Sequence, residues 1–157
     1  MSRRQTPPEG GPQSDRTLRD TRNQRREPLA NRCRLLVVDD SAAVRSFIRA
    51  HLAPFGFELL DAEDGERALR IARLLPLDVV VADITMPGLD GIEFVRSLRA
   101  SDERAQRELP VVLLTGDRSP ELHRRGIDAG ASKVLYKPVT SDSLLSAVNA
   151  ALGRNQK

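Results

Sequence analysis

The chain predicts an open α/β sheet of parallel strands, doubly wound with helices on both faces, and three observations lead there. From Arg34 onward, short apolar runs alternate with amphipathic stretches five times, the pattern of repeated βαβ units. Aromatic residues make up 3% of the 157 residues, so a core drawn from the 39% hydrophobic fraction must be filled by Val, Leu, Ile and Ala, which suits a sheet buried on both sides. An eight-stranded barrel is excluded, because it needs about 200 residues or more.

The strands are read at Arg34–Asp39, Glu58–Ala62, Asp78–Asp83, Pro110–Thr115 and Lys133–Tyr136. Ser41 is the expected N-cap of the first helix, whose Val44, Phe47, Ile48 and Leu52 recur at helical spacing and leave Arg45 and Arg49 outside. Ala68, Leu69, Ala72 and Leu75 form a similar stripe in the second helix, and Phe94, Val95 and Leu98 in the third. Ser119-Pro120 signals the start of a fourth, in which Gly126 costs about 1 kcal/mol relative to Ala. That helix is expected to be the least stable. The fifth begins near Thr140, buries Leu144, Leu145, Val148 and Leu152, and stops at Gly153.

Residues before Arg34 read differently. Met1 to about Asn31 is rich in Arg, Gln, Asn, Pro and Gly, offers little to bury, and is expected to be disordered with at most a transient helix around Leu18 to Arg26. Residues 1–34 carry nine Lys/Arg against four Asp/Glu, a net of +5, and the remainder sixteen against eighteen, a net of −2. The overall charge of +3 therefore joins a basic leader to a mildly acidic domain. No aromatic residue interleaves with the leader's arginines, which argues for a solvated tether over a nucleic-acid arm. Cys33 is the only cysteine, so an intramolecular disulfide and a multi-thiolate zinc site are excluded, and an inert thiol in a reducing compartment is expected. No apolar stretch approaches the roughly 18 residues of a membrane span, and the basic N-terminus lacks a secretory h-region, so a cytoplasmic location is expected.

The chemistry lies at the strand ends. Asp83 closes an apolar run and is followed by the turn Thr85-Met-Pro-Gly-Leu-Asp-Gly91, and Asp39 and Asp40 stand in the same relation to Leu35-Leu-Val-Val38. Parallel neighbours would bring all three carboxylates to one edge of the sheet, where such folds place their sites. Carboxylates about 4 Å apart repel by roughly 4 kcal/mol at an effective dielectric of 20, so the trio needs a cation. Oxygen-only ligands in a half-open, hydrated site favour magnesium. Thr115 and Lys137 end or follow the remaining strands, and a hydroxyl, an ammonium and a divalent cation around one carboxylate could bind a phosphoryl group that the carboxylate had accepted. Lys137 precedes Pro138, a pair that permits a cis peptide bond. His51 and His123 are expected on solvated helix faces, away from any metal.

Asp39-Asp40, Asp83 with Met86-Pro-Gly-Leu-Asp-Gly91, Thr115 and Lys137-Pro138, in this order and spacing, closely resemble the receiver domain of two-component response regulators. The resemblance covers Arg34 to about Leu152, giving a leader at 1–33, a receiver at 34–153 and a short tail at 154–157. It implies the flavodoxin-like strand order 2-1-3-4-5. It further implies that Asp83 accepts a phosphoryl group from a histidine kinase or histidine phosphotransfer protein, that Asp40 ligates Mg2+ directly and Asp39 largely through water, and that the Thr85 carbonyl is another ligand. Thr115 and Lys137 would hold the phosphoryl oxygens, and Thr85 and Asp117 would influence attack by water. The family usually carries Tyr or Phe three residues before the lysine as a mobile switch, but that position here is Val134. Tyr136, one residue from the lysine, is not expected simply to replace it.

The implied function is a phospho-accepting signalling module, not a turnover enzyme, that binds an unknown output protein through its fourth helix, fifth strand and fifth helix. No helix-turn-helix follows Leu152, so a stand-alone receiver without its own DNA-binding domain is expected. A phosphate sink or relay is an alternative. A small phosphatase with an aspartyl-phosphate nucleophile is a further one, although that chemistry would normally want an Asp two residues after the nucleophile, where Thr85 stands. Deletion of Met1 to Arg32 is expected to leave thermal melting nearly unchanged, because it removes little buried surface. A large drop in melting temperature would show that the leader packs on the domain.

Overall fold

The computed structural model describes residues 32–154. Five parallel strands form one sheet in the order β2-β1-β3-β4-β5. They are β1 (Arg34–Val38), β2 (Glu58–Ala62), β3 (Val79–Asp83), β4 (Val111–Thr115) and β5 (Lys133–Tyr136), each within one residue of its expected bounds at either end. The helices are α1 (Ala42–Leu52), α2 (Gly65–Leu74), α3 (Gly91–Arg99), α4 (Pro120–Ala129) and α5 (Ser141–Ala151). Two short turns escaped the sequence pattern, a 3-10 turn at Ala53–Phe55 and a helical turn at Arg104–Arg107; neither buries a residue, so neither leaves an apolar period to read. Residues 1–31 of the expected leader, with its transient helix at Leu18 to Arg26, and residues 155–157 of the expected tail lie outside the described residues.

The period-2 alternation of the strands divides the core in two. Leu36, Val38, Val80, Ala82, Leu113 and Val134 face α2, α3 and α4, where they meet Ala68, Ala72, Ile92, Phe94, Val95 and Leu98. Leu35, Val37, Val79, Val81, Val112 and Leu114 face α1 and α5, with Ile48, Leu52, Leu144, Ala147 and Val148. Phe94 is fully buried, and truncation of such a side chain to Ala costs about 3–5 kcal/mol. Two expected core positions turn outward: Phe47 is 46% exposed and Leu75, the residue capping α2, is 42% exposed. Leu75 has extended backbone, so the helical period that placed it inward no longer applies.

Helix starts are set by side-chain caps. Ser41, Asp64, Asp90, Ser119 and Thr140 each accept a backbone N–H of the first turn. Asp90 and Glu93 close a reciprocal capping box, and the Gly91 N–H donates to the Ile84 carbonyl at 2.9 Å. This folds the Thr85–Asp90 loop back onto the end of β3. A Cβ at Gly91 would run into the Asp83 carbonyl and crowd the Ile84 Cα, so only glycine fits there. Gly126 is likewise explained by contact: a Cβ there would lie 3.0 Å from Val134 Cγ2 and 3.3 Å from Leu113 Cδ1. Its low helix propensity is offset by the close seat it gives α4 on β4 and β5.

Gly91→Ala is expected to destabilise the domain by about 1–3 kcal/mol through forced backbone displacement. Urea unfolding checks this as a lowered midpoint with an unchanged slope; an unshifted midpoint would refute the close approach.

Candidate functional site

Strands β1, β3, β4 and β5 run parallel and end level, as the pairs Val38↔Ala82, Asp83↔Leu114 and Thr115↔Tyr136 show. The residues that end them therefore meet at one edge. Asp39, Asp40 and Asp83 each offer a carboxylate oxygen, all lying within 4.8 Å of one another. Asp39 and Asp83 are buried and Asp40 is exposed, so the cluster opens to solvent on one side only. Lys137, leaving β5 through a cis peptide bond to Pro138, places Nζ 3.1 Å from Asp83 Oδ2 and 3.4 Å from Asp39 Oδ2.

Backbone groups fix the two buried acids. The Ser41 N–H donates to Asp39 Oδ1 at 2.8 Å, the Thr85 N–H to Asp83 Oδ1 at 3.3 Å, and Arg45 Nη1 to the Asp39 carbonyl at 2.7 Å. Burial pushes the Asp83 carboxyl above the usual carboxylate range, with the nearby Asp39 charge adding to the rise; Lys137 and the Thr85 N–H pull only partly the other way. For Lys137 the balance reverses. Burial works to lower its pKa, but the bond to Asp83 and the charges of Asp83 and Asp39 together carry it above the ordinary lysine value. One ammonium, paired with Asp83 and Asp39, stands against a cluster of three carboxylates, an excess of negative charge that suits a further cation. The donors are carboxylate oxygens without His or Cys, which fits a hard ion such as Mg2+.

Thr115 is fully buried and its hydroxyl is engaged in the following loop, accepting from the Asp117 N–H at 3.0 Å and donating to the Asp117 carbonyl at 3.4 Å. Its carbonyl accepts from the Lys137 N–H at 2.7 Å, which ties the ends of β4 and β5 together. Thr85 follows Ile84 on the exposed side of the site. All six residues singled out in the sequence thus lie at the same end of the sheet.

Other expectations are corrected. His51 and His123 are only partly solvated: His51 Nδ1 lies 2.7 Å from the Phe47 carbonyl, and the His123 ring stacks on Tyr136 with centroids 5.9 Å apart. Neither belongs to the acidic cluster. Sequence reasoning also missed an apolar groove of about 450 Å³ beside the site, lined by Val44, Phe47, Ile48, Leu114, Pro138 and Val139, with Lys137 at its border. The outward Phe47 was its one available signal. Cys33 is half-buried, and burial, helped by the Asp78 charge, raises its thiol pKa, in keeping with an inert group. No helix of the described residues is long and apolar enough to cross a membrane.

The model of the response regulator receiver domain matches residues 35–149. The response regulator MprA of Mycolicibacterium vanbaalenii is 40% identical over 121 residues, which are 77% of this chain and 51% of that protein. MprA of Mycobacterium leprae is 40% identical over 124 residues, 78% and 52% of the two chains. The chain thus spans about half the length of these relatives, which lends no support to the stand-alone expectation. Among solved structures, the chemotaxis protein CheY4 of Vibrio cholerae superposes with a TM-score of 0.71 at 34% identity, covering 77% of this chain and 99% of that one. The receiver domain of the Francisella response regulator 1452 gives 0.70 at 31%, covering 79% and 99%. With the strand order, the acidic edge and these matches in agreement, the chain belongs to the response regulator family and carries its receiver domain.

Proposed function

We infer that the chain is a cytoplasmic phospho-accepting switch in two-component signalling, with Asp83 the acceptor of a phosphoryl group from a histidine kinase or a histidine phosphotransfer protein. The observation that carries this reading is the placement of Asp83: a buried carboxylate with one oxygen 3.1 Å from the Lys137 ammonium, beside two further carboxylates. An Asp83 oxygen attacks phosphorus, the new O–P bond forms as the N–P bond of phosphohistidine breaks, and the imidazole nitrogen leaves with that electron pair and takes up a proton. Lys137 stays charged and pairs with a phosphoryl oxygen, and Thr115 donates its hydroxyl to another once it has left Asp117.

Asp39, Asp40, Asp83 and the Thr85 carbonyl would hold Mg2+. When bound, the ion supplies positive charge against the phosphoryl oxygens and the crowded carboxylates. Asp83 lies at the end of the central strand β3, pairs with Leu114 beside Thr115 and has the shorter contact to Lys137, which supports it as the acceptor, with Asp39 and Asp40 beside it completing the metal ligands. The module modifies itself and releases the phosphoryl to water, so it is a switch and not a turnover enzyme. A small phosphatase is disfavoured because Thr85 stands where that chemistry would want a second Asp.

A small acyl phosphate with Mg2+ is expected to add one phosphoryl group, seen as a mass increase located at Asp83. Asp83→Ala and removal of divalent cations should abolish it, and Asp40→Asn should slow it about tenfold or more. Labelling that persists in Asp83→Ala would sink the assignment. The groove beside Lys137 gives a second expected outcome, since a protein donor seated over the mouth of the site would meet the apolar surface that Phe47 lines. Phe47→Asp should slow transfer from a histidine-phosphorylated donor protein by about fivefold or more while leaving labelling by the small acyl phosphate unchanged. Equal rates with the protein donor would remove the groove from the docking surface.

A further inference from the structure

We propose that Tyr136, in contact with both Arg118 and His123, is the residue that carries a change at Thr115 into the first turns of α4, a task for which Val134 has neither the size nor the room. The proposal rests on the reading of Asp83 as phospho-acceptor and deepens it by naming the coupling element of this chain.

Register places Tyr136 there. Tyr136 pairs with Thr115 across β4 and β5, and it lies two residues beyond Val134, on the same face of the sheet under α4. The alternation that sets Tyr136 opposite to Leu135 thus brings it beside Thr115. Val134 is buried beneath Gly126, where an added Cβ would lie only 3.0 Å from its Cγ2, so the two are closely packed and leave little room for a larger side chain to swing inward. One helical turn earlier in α4, His123 stacks on the Tyr136 ring at 5.9 Å and 28°, and from the loop Arg118 lies 5.8 Å from the ring centroid. One ring therefore touches the β4–α4 loop and the helix it leads into.

Thr115 is connected to the same loop through its hydroxyl. Both of its hydrogen bonds go to the Asp117 backbone, next to Arg118, and Asp117 Oδ1 in turn accepts the N–H of Ser119, the cap of α4. Turning the hydroxyl toward a phosphoryl group on Asp83 breaks these bonds, freeing the segment that carries Arg118 and Ser119. The far end of α4 cannot follow. Arg99 donates to the Gly130 carbonyl through Nε at 3.1 Å and Nη2 at 2.8 Å, and packs where a Cβ on Gly130 would sit. Motion is thereby confined to the N-terminal half of α4, which Tyr136 contacts through His123.

The chain offers its own reporter, because Tyr136 is its only tyrosine and it contains no tryptophan. The full chain is treated with acyl phosphate and Mg2+, and four quantities are read: mass at Asp83, tyrosine emission, near-ultraviolet dichroism and hydrogen exchange over residues 116–123. In the unmutated chain, phosphorylation is expected to change the tyrosine signals and the exchange of that segment together. Tyr136→Leu should still gain the phosphoryl mass at Asp83, yet its exchange change over 116–123 should fall about fivefold or more. His123→Ala should do the same with Tyr136 intact, and Tyr136→Phe should retain the full change. A full exchange response in both Tyr136→Leu and His123→Ala, or tyrosine signals unmoved by a phosphoryl group that mass spectrometry finds on Asp83, would overturn the coupling role alone. No added mass in the unmutated chain would overturn the phospho-acceptor reading and this inference with it.

Discussion

Lys137 and the carboxylates it faces set the terms for the rest of the molecule. Asp39 and Asp83 are buried at the ends of adjacent strands, and the chain brings an ammonium to 3.4 and 3.1 Å from them along a third strand. Loss of one partner of a fully buried pair costs about 3–5 kcal/mol; here the figure is smaller, because the lysine side chain is 30% exposed. The same pairing fixes function. On the proposed reading the acceptor must be ionised to attack; burial and the Asp39 charge raise the Asp83 pKa, and the lysine beside it, with a metal when bound, works against that rise. Parallel strands are what make the arrangement possible, since only they deliver all the ends to one edge.

The sheet and helix α4 divide stability between them. Every residue of β3 and β4 is buried, whereas α4 buries only Gly126. Its attachment is a set of discrete contacts: the Ser119 cap at 3.4 Å, the glycine seat, the His123 stack and the Arg99 bonds at Gly130. Rigid strands position the chemistry to within a hydrogen-bond length, and a lightly held helix beside them is the element that can change state at low cost. The sequence expectation that α4 is the weakest helix rested on glycine propensity; in the structure the glycine is a packing requirement, and the sparse burial of α4 is the feature that bears on its stability.

The fold and the site were legible for a common reason. Strands buried on both faces read as unbroken apolar runs, and a polar residue that ends such a run marks the strand's C-terminal mouth, so Asp39, Asp83 and Thr115 announced themselves. Lys137 needed only the strand before it. What escaped were contacts between side chains from different elements. Nothing in the spacing of Arg118, His123 and Tyr136 shows that they form one stack, because the stack depends on β5 pairing with β4 in one register. Phe47 fits a helical stripe by count, yet the stripe is wider than the surface α1 has to cover, so its edge residue is left lining the groove. The Thr115 hydroxyl was placed correctly at the mouth, but its engagement with Asp117 belongs to a loop with no periodicity to read.

These missed contacts bear on how much energy the switch requires. Moving a two-state element from 1:99 to 99:1 takes about 5.5 kcal/mol of differential stabilisation. On the proposed reading, a phosphoryl group on Asp83 would gain two charge-assisted or hydroxyl contacts, from Lys137 and Thr115, while Thr115 would give up two bonds to Asp117. The net from hydrogen bonds alone is small, because bonds to neutral groups contribute only about 0.5–1.5 kcal/mol each and the exchange is nearly even in number. The remainder has to come from electrostatics at the acidic cluster and from packing that differs between the two positions of the β4–α4 loop. Packing with that leverage lies where a large ring meets a loosely held helix. Around Val134 the core is closely packed under Gly126; around Tyr136 a ring is shared between the β4–α4 loop and the first turns of a helix that buries only one residue.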